Sequence, residues 1–385
     1  MTVLIWVTHL LGVGHYHRAV RIARGLVRAG ARVTIANGGF PVTNVRLGDF
    51  EVVQLPPLRS PDVTFKRLVG PDGNDVSEDY LGERRDALIA LADDIRPSVI
   101  LTELFPFGRW KFQSELVPLI EAQRARPDRP AIVASIRDIL VPPRKAARLE
   151  VIRHLTTTYF DRILVHGDAG FIRLEETLPL AADFAERIAY TGYVVPDYDP
   201  AATGTDGADE VIVSAGGSAF GGHLLSTAIA ARPRTRLAST TWRVLAGQGL
   251  PEQTHSELKE AAGRQNGVIV ERARADFPEV MRRARLSISQ AGYNTVCDVL
   301  AAGIPAVFAP FAEADESEQS ARVDLLAKHG LAVVAKDNPL TPEGLADAVD
   351  RAVDLNPAAD ARPRLGGADE TARAALACAR ELGHS

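Results

Sequence analysis

Twice in this chain a short apolar run ends in a glycine-rich loop that leads straight into a helix-like stretch. Val3 to Thr8 runs into Gly12-Val13-Gly14, and Val211 to Ser214 runs into Gly216-Gly217. A strand that is apolar throughout, and not merely on alternate residues, is buried on both faces. Strands of that kind separated by amphipathic helices imply parallel sheets with helices on both sides. The two openings therefore predict two doubly wound α/β units, each with a ligand loop at its first strand.

The rest of the pattern agrees. After the first strand, Gly14 to Ala29 reads as a helix with Val20, Ile22, Ala23, Leu26 and Val27 on one side. Further strands are expected at Ala31 to Ala36, Phe50 to Leu55, Ser98 to Thr102, Ala131 to Ile136 and Arg162 to His166, with a helix from Tyr80 to Ile95. From Tyr190 to Gly207 proline and glycine accumulate, which marks a linker. The alternation then restarts, with strands expected at Thr241 to Ala246, Val268 to Val270, Leu286 to Ser289, Ala306 to Ala309 and Ala332 to Val334. Gly303-Ile304-Pro305 is a helix stop leading into one of them. The expected division is a first domain over 1–193, a linker over 194–208 and a second domain over 209–368. A last alanine-rich helix, about 369–385, is free to pack back on the first domain. A chain of 385 residues, 46% apolar, has material for two such cores.

Composition excludes several classes. The net charge is −5 and no long basic run occurs, so there is no electrostatic case for nucleic acid. Two cysteines, Cys297 and Cys378, match no metal spacing and make no disulfide framework. Met1 to Leu11 is apolar but lacks a basic leader and a small-residue cleavage site, so it reads as a strand. No apolar stretch approaches the roughly 20 residues of a membrane span. A cytoplasmic protein is the expectation, with contact at the inner membrane face left open.

Three loops carry the candidate chemistry. The first is Gly12-Val13-Gly14-His15-Tyr16-His17-Arg18, where a strand turns into a helix. Glycine lets a ligand approach the backbone, and the helix start offers free N–H groups, so Gly14 is a candidate phosphate contact. His17 stands where a dinucleotide-binding loop needs its third glycine, and Asn37-Gly38-Gly39 replaces the acid that would hold a ribose. His15 can act as a general base near neutral pH. Arg18 can pair with a phosphate or carboxylate. The second loop, Ser214 to His223, exposes backbone N–H groups at Gly216 and Gly217 and a hydroxyl at Ser218, which suits a diphosphate. It lacks the lysine of an NTPase loop.

The third stretch is Ser289-Gln290-Ala291-Gly292-Tyr293-Asn294-Thr295, followed by Asp298 and then by Glu318-Gln319 and Arg322. A strand, a glycine turn and a helix start recur, so amides near Asn294 and Thr295 can face a second phosphate. Asp298 can accept both hydroxyls of a ribose, and Glu318 and Gln319 can hold sugar hydroxyls. Together these residues describe a nucleotide-sugar pocket. Glu103 with Phe105, and Arg137 with Asp138, follow strand ends and are candidate acceptor contacts; Asp138 can also orient His15 or serve as the base itself. No Asp-x-Asp cluster stands ready for a metal, and the expected reaction needs no cofactor besides the nucleotide-sugar substrate.

The third stretch resembles the donor-binding segment of glycosyltransferase family 28. The chain is also similar to a bacterial branch of predicted glycosyltransferases, through Gly12 to Arg18, Thr191 to Val194, Ser289 to Thr295 and Glu318 to Arg322. The resemblance implies the GT-B fold, two Rossmann-like domains facing across a cleft. It implies transfer of a sugar, with UDP as the expected nucleotide, to an acceptor hydroxyl with inversion. It further implies Asp298 for the ribose, Glu318-Gln319 for the donor sugar, Ser218 for the diphosphate, the backbone of Arg272 to Phe277 for the base, and His15 for the acceptor. The acceptor is a small molecule or lipid-linked. Two alternatives stand beside this: a nucleotide-sugar hydrolase or epimerase on the same fold, and a non-catalytic nucleotide-sugar-binding partner.

Overall fold

The computed structural model describes residues 1–43, 45–62, 65–199, 201–216, 221–310, 317–357 and 361–384. They form two compact units, Met1–Val194 with Arg364–Ser385, and Val195–Pro363.

In the first unit the chain runs β1 (Thr2–Val7), α1 (Gly14–Arg28), β2 (Arg32–Asn37), β3 (Glu51–Gln54), α2 (Glu78–Ile95), β4 (Val99–Glu103), α3 (Gln113–Arg124), β5 (Ala131–Arg137), α4 (Ala146–Tyr159), β6 (Arg162–His166), the short α5 (Leu174–Thr177) and β7 (Ile188–Tyr190). The sheet is parallel throughout, in the order β3-β2-β1-β4-β5-β6-β7. β7 was not evident in the sequence, because three residues are too few to show a period before the linker begins. Val3, Ile5 and Val7 of β1 face one apolar layer, and Leu4 and Trp6 face the other. Both faces being covered is what the continuous apolar run requires.

One set of buried polar groups in the second of these layers is paired across three elements. The Trp6 indole donates to Glu115 at 2.6 Å, and Glu115 also receives Arg84 at 3.0 Å. That pair ties α2 and α3 to the central strand.

The second unit runs β8 (Val211–Ser214), α6 (Gly222–Ala231), β9 (Trp242–Ala246), α7 (Glu252–Gly263), β10 (Val268–Arg272), α8 (Phe277–Arg283), β11 (Leu286–Ser289), α9 (Tyr293–Ala302), β12 (Ala306–Phe308), α10 (Ser317–Lys328), β13 (Val333–Val334) and α11 (Pro342–Val353). Its sheet is also parallel, ordered β10-β9-β8-β11-β12-β13.

The chain then returns to the first unit as α12 (Gly367–Glu381). Ala368, Ala372, Ala375 and Ala379 of α12 pack with Ile22, Ala23 and Leu26 of α1. The approach is close: a Cβ on Gly25 would lie 2.5 Å from the Ala368 carbonyl oxygen. Arg28 reinforces it from the surface with a 2.7 Å bond to Asp369. Among the described residues no helix is long and apolar enough to cross a membrane.

Candidate functional site

In a doubly wound sheet the ligand crevice opens where the strand order reverses, beyond the carboxyl ends of the strands. In the first sheet that point lies between β1 and β4, and in the second between β8 and β11. All three sequence loops follow one of these strands. The helices after β1, β8 and β11 are α1, α6 and α9. None has a capping side chain or an acid in its first turn. By contrast α2 is capped by Ser77 and α11 by Thr341. An uncapped start leaves backbone N–H groups and the positive dipole end for an anion.

At the first switch point α1 delivers His15 and Arg18, and β4 ends in Glu103. His15 Nδ1 lies 2.8 Å from Glu103 Oε1. Arg18 binds the same carboxylate through Nη2 and lies 3.3 Å from His15 Nδ1. Ser135 Oγ, opposite Glu103 in the β4–β5 register, donates to Oε2 at 2.9 Å. The chain of contacts continues from Ser135 to His166 Nε2 at 2.7 Å and from His166 Nδ1 to Thr191 at 2.9 Å.

Glu103 is buried, its side chain only 2% exposed, whereas His15 keeps 16%. Burial alone opposes a charge on Glu103, but the Arg18 guanidinium and the His15 bond outweigh it and hold the carboxyl well below the usual range. An ionised Glu103 accepts the Nδ1 proton, which leaves Nε2 of His15 as a lone-pair acceptor. Burial, with the Arg109 charge beside it, lowers His15 to about 3, so the imidazole is neutral at pH 7. The arrangement is an oriented neutral imidazole backed by a carboxylate, the form a general base takes.

Other sequence candidates fall differently. Asp138 does not hold His15 in this way. Its Oδ2 accepts from the Tyr193 hydroxyl at 3.0 Å and its Oδ1 from the Ile139 N–H. Glu103, expected among the acceptor contacts, is the carboxylate that His15 meets. Phe105 is fully buried in the core, packed 6.2 Å from Phe160, and offers no surface to an acceptor. Arg137 ends β5 and is half-buried. Asn37-Gly38-Gly39 has a packing reason, since Cβ atoms at Gly38 and Gly39 would fall 2.2 Å from Thr8 Oγ1 and 2.4 Å from His9. Ser135, His166 and Arg109 had no signal in the sequence, being single residues brought in by strand order.

At the second switch point Ser214 and Ser289 are register partners at the ends of β8 and β11. Both hydroxyls are buried without a hydrogen-bond partner among the described residues. Gly216 follows with φ +70, the left-handed region that glycine enters freely. Gly217 and Ser218 lie outside the described residues. Gly292 caps α9, Asn294 and Thr295 are half-buried in its first turn, and Asp298 is buried one turn on. Gln290 and Gln319 are half-buried. The Arg272 guanidinium binds the carbonyls of Gly247 and Leu250 at 3.1 and 2.8 Å, so it braces the loop after β9.

Arg322 proves to be the keystone of the third stretch. It is fully buried, donates to Glu318 at 2.7 Å and to the Ala291 carbonyl at 3.3 Å, and lies over the Tyr293 ring. Glu318, expected at the donor sugar, therefore commits one oxygen to Arg322 within α10, and Arg322 in turn reaches the loop before α9. Among the described residues no three His, Cys, Asp or Glu side chains cluster as metal ligands.

The neutral histidines make a testable signature. Burial lowers His9 and His17 to about 4 and His166 to about 3, alongside His15. An unfolded histidine titrates near 6.5. Below that pH the unfolded chain takes up protons that the folded chain refuses, so this stability is present above about pH 6.5 and lost as pH falls towards 4. The melting temperature is expected to drop steadily between pH 7 and 4.5 in scanning calorimetry. A flat profile would contradict the buried neutral set.

The two parallel doubly wound sheets are those of the GT-B fold. Solved structures agree in fold over nearly the whole chain. The calicheamicin glycosyltransferase CalG4 matches with a TM-score of 0.56 at 19% identity, covering 98% of this chain and 94% of its own. MurG of Acinetobacter baumannii matches at 0.53 and 14% identity, covering 99% of each chain. TcCGT1, solved in complex with UDP, matches at 0.62 and 11% identity, covering 99% of this chain and 93% of its own.

Residues 211–372 match the glycosyltransferase family 28 C-terminal domain. Among curated proteins the chain is similar to UDP-N-acetylglucosamine--N-acetylmuramyl-(pentapeptide) pyrophosphoryl-undecaprenol N-acetylglucosamine transferases. That of Methylococcus capsulatus is 38% identical over 98 residues, 26% of each chain. That of Bordetella pertussis is 31% identical over 200 residues, 48% of this chain and 49% of its own. The alignments thus span about a quarter to a half of those relatives.

Proposed function

We propose that this protein transfers a sugar from a nucleotide diphosphate-sugar to an acceptor hydroxyl. The observation that carries the reading is the 2.8 Å contact of His15 Nδ1 with a Glu103 carboxylate that Arg18 keeps ionised. On this reading Nε2 of His15 takes the acceptor proton as the hydroxyl oxygen bonds to the anomeric carbon. The sugar–phosphate bond breaks and the nucleoside diphosphate leaves with the electron pair. One displacement of this kind inverts the anomeric centre.

The second unit receives the donor. The amides at the starts of α6 and α9, with the Ser214 and Ser289 hydroxyls, lie where charge grows on the departing diphosphate. No metal or further cofactor enters the proposed scheme. The nucleotide is UDP on this reading, because the curated relatives are named for UDP-N-acetylglucosamine. Those relatives are also named for an undecaprenol-linked substrate, which supports a lipid-linked acceptor reached at the inner membrane face. Asp298 binds the ribose.

Calorimetry against a panel of nucleotide diphosphate-sugars tests the proposal. A UDP-sugar is expected to bind, and Asp298→Ala to weaken UDP by roughly 1.5–3 kcal/mol, the worth of a charged hydrogen bond. Absence of binding by every nucleotide-sugar would overturn the function, and unchanged UDP affinity in the variant would remove Asp298 from the site.

A further inference from the structure

After β4 the chain turns through two residues with left-handed backbone, Leu104 at φ 69 and Arg109 at φ 61. That conformation is uncommon for a residue carrying a Cβ, and such residues gather at ligand sites. Arg109 is half-buried, yet its guanidinium makes no hydrogen bond or ion pair with any described residue. Its charge nevertheless acts on His9, His15 and Glu103.

The carboxylate that acts on Arg109, Glu103, is already bound by Arg18 and His15. Arg18 and Arg137 both stand close enough to Arg109 to oppose its charge, and Arg18 is already bound to Glu103. Three guanidinium groups thus share a neighbourhood with the Glu103 carboxylate, and the nearby histidines are neutral. His9 is only 6% exposed, and its Nδ1 has no hydrogen-bond partner; nor has Thr8 Oγ1 beside it. Buried polar atoms are almost always satisfied, so unmet ones near an unmet guanidinium point to a ligand. A guanidinium takes phosphate or carboxylate through two parallel N–H bonds.

We propose that Arg109 binds an anionic group, a phosphate or a carboxylate, carried by the sugar acceptor beside the hydroxyl that His15 deprotonates. The inference rests on the reading of His15 as the base. It assigns the anion to the acceptor because Arg109 belongs to the first unit, whereas the family 28 match begins at residue 211. A charged anchor near the reacting hydroxyl also fixes its orientation, which is where much of a transfer rate comes from.

The test uses the full chain with labelled histidine side chains, titrated with inorganic phosphate and, separately, with acetate. Saturable shifts of the His9 and His15 ring resonances are expected. In Arg109→Met the apparent affinity should fall by roughly tenfold or more, and in Arg109→Lys by less, since the charge remains but the fork is lost. UDP affinity of Arg109→Met should equal that of the unaltered protein. Tighter binding of phosphate than acetate assigns a phosphate on the acceptor, and the reverse a carboxylate.

Failure of both anions to move the resonances overturns the proposal, as does unaltered anion binding by Arg109→Met. If Arg109→Met instead weakens UDP, and UDP displaces phosphate, the group bound is the donor's own diphosphate and the acceptor assignment falls. Failure of UDP to bind the unaltered protein would sink the transferase reading by itself, while the phosphate titration still reports on Arg109.

Discussion

His15→Ala is expected to slow sugar transfer by roughly a thousandfold while UDP affinity stays within about twofold. The separation follows from where the parts lie. His15 belongs to the first unit, and the loops proposed for the donor belong to the second. Glu103→Gln keeps the shape but removes the charge that fixes the Nδ1 tautomer, so it is expected to lose rate as well, again without loss of UDP binding. The pH profile adds an independent mark. An ordinary histidine base loses about tenfold in rate for each unit below its pKa near 6.5. His15 is held neutral to about 3 by burial and by Arg109, so its rate should stay level from pH 7.5 down to about 5.5. Release of UDP from a UDP-sugar, followed with extracted lipids and free sugars as acceptors, measures all three. Full activity in His15→Ala would remove it as the base.

Arg322→Ala is expected to cost about 3 kcal/mol or more of stability, the usual result of removing one partner from a buried ion pair. Glu318 would be left buried without its cation, and the Ala291 carbonyl and the Tyr293 ring would lose their contact. Because the same contacts hold the loop before α9, nucleotide affinity should fall too, by more than in Asp298→Ala. Arg322→Lys should recover little, since an ammonium cannot reach Glu318, the Ala291 carbonyl and the ring together. Urea unfolding with calorimetry on the same samples tests the pair of effects. Lower stability with unchanged UDP affinity would detach Arg322 from the binding loop.

Much of this architecture is legible in the residues alone, for a physical reason. Strands buried on both faces are apolar throughout, and helices between them show one apolar side, so β1, β2, β4, β5 and β6 are all visible. The loops at Gly12, Gly216 and Gly292 are visible as glycine turns set between an apolar strand and a helix-like stretch. Strand order is not written locally. It alone brings Glu103 to His15, Ser135 to Glu103 and His166 to Ser135, across separations of 88, 32 and 31 residues. That is why the residues alone suggest Asp138 rather than Glu103 as the partner of His15, and why Arg109 gives no sign. Arg322 was visible as part of a motif, but a motif does not tell whether a residue touches the ligand or supports those that do.

The return of α12 has a consequence for how the protein is made. The two segments of chain that leave and re-enter the first unit are stitched together there: Tyr193 N–H donates to Arg364 O and Gly367 N–H to Tyr193 O, each at 2.9 Å. In effect the second unit is an insert within a single fold. A ribosome releases α1 early, yet the helix that covers its apolar face emerges only after the whole insert. During that interval Ile22, Ala23 and Leu26 have no lid, so the nascent first unit is the stage most in need of a chaperone. The insert, whose ends need not wait for anything upstream, is free to fold first.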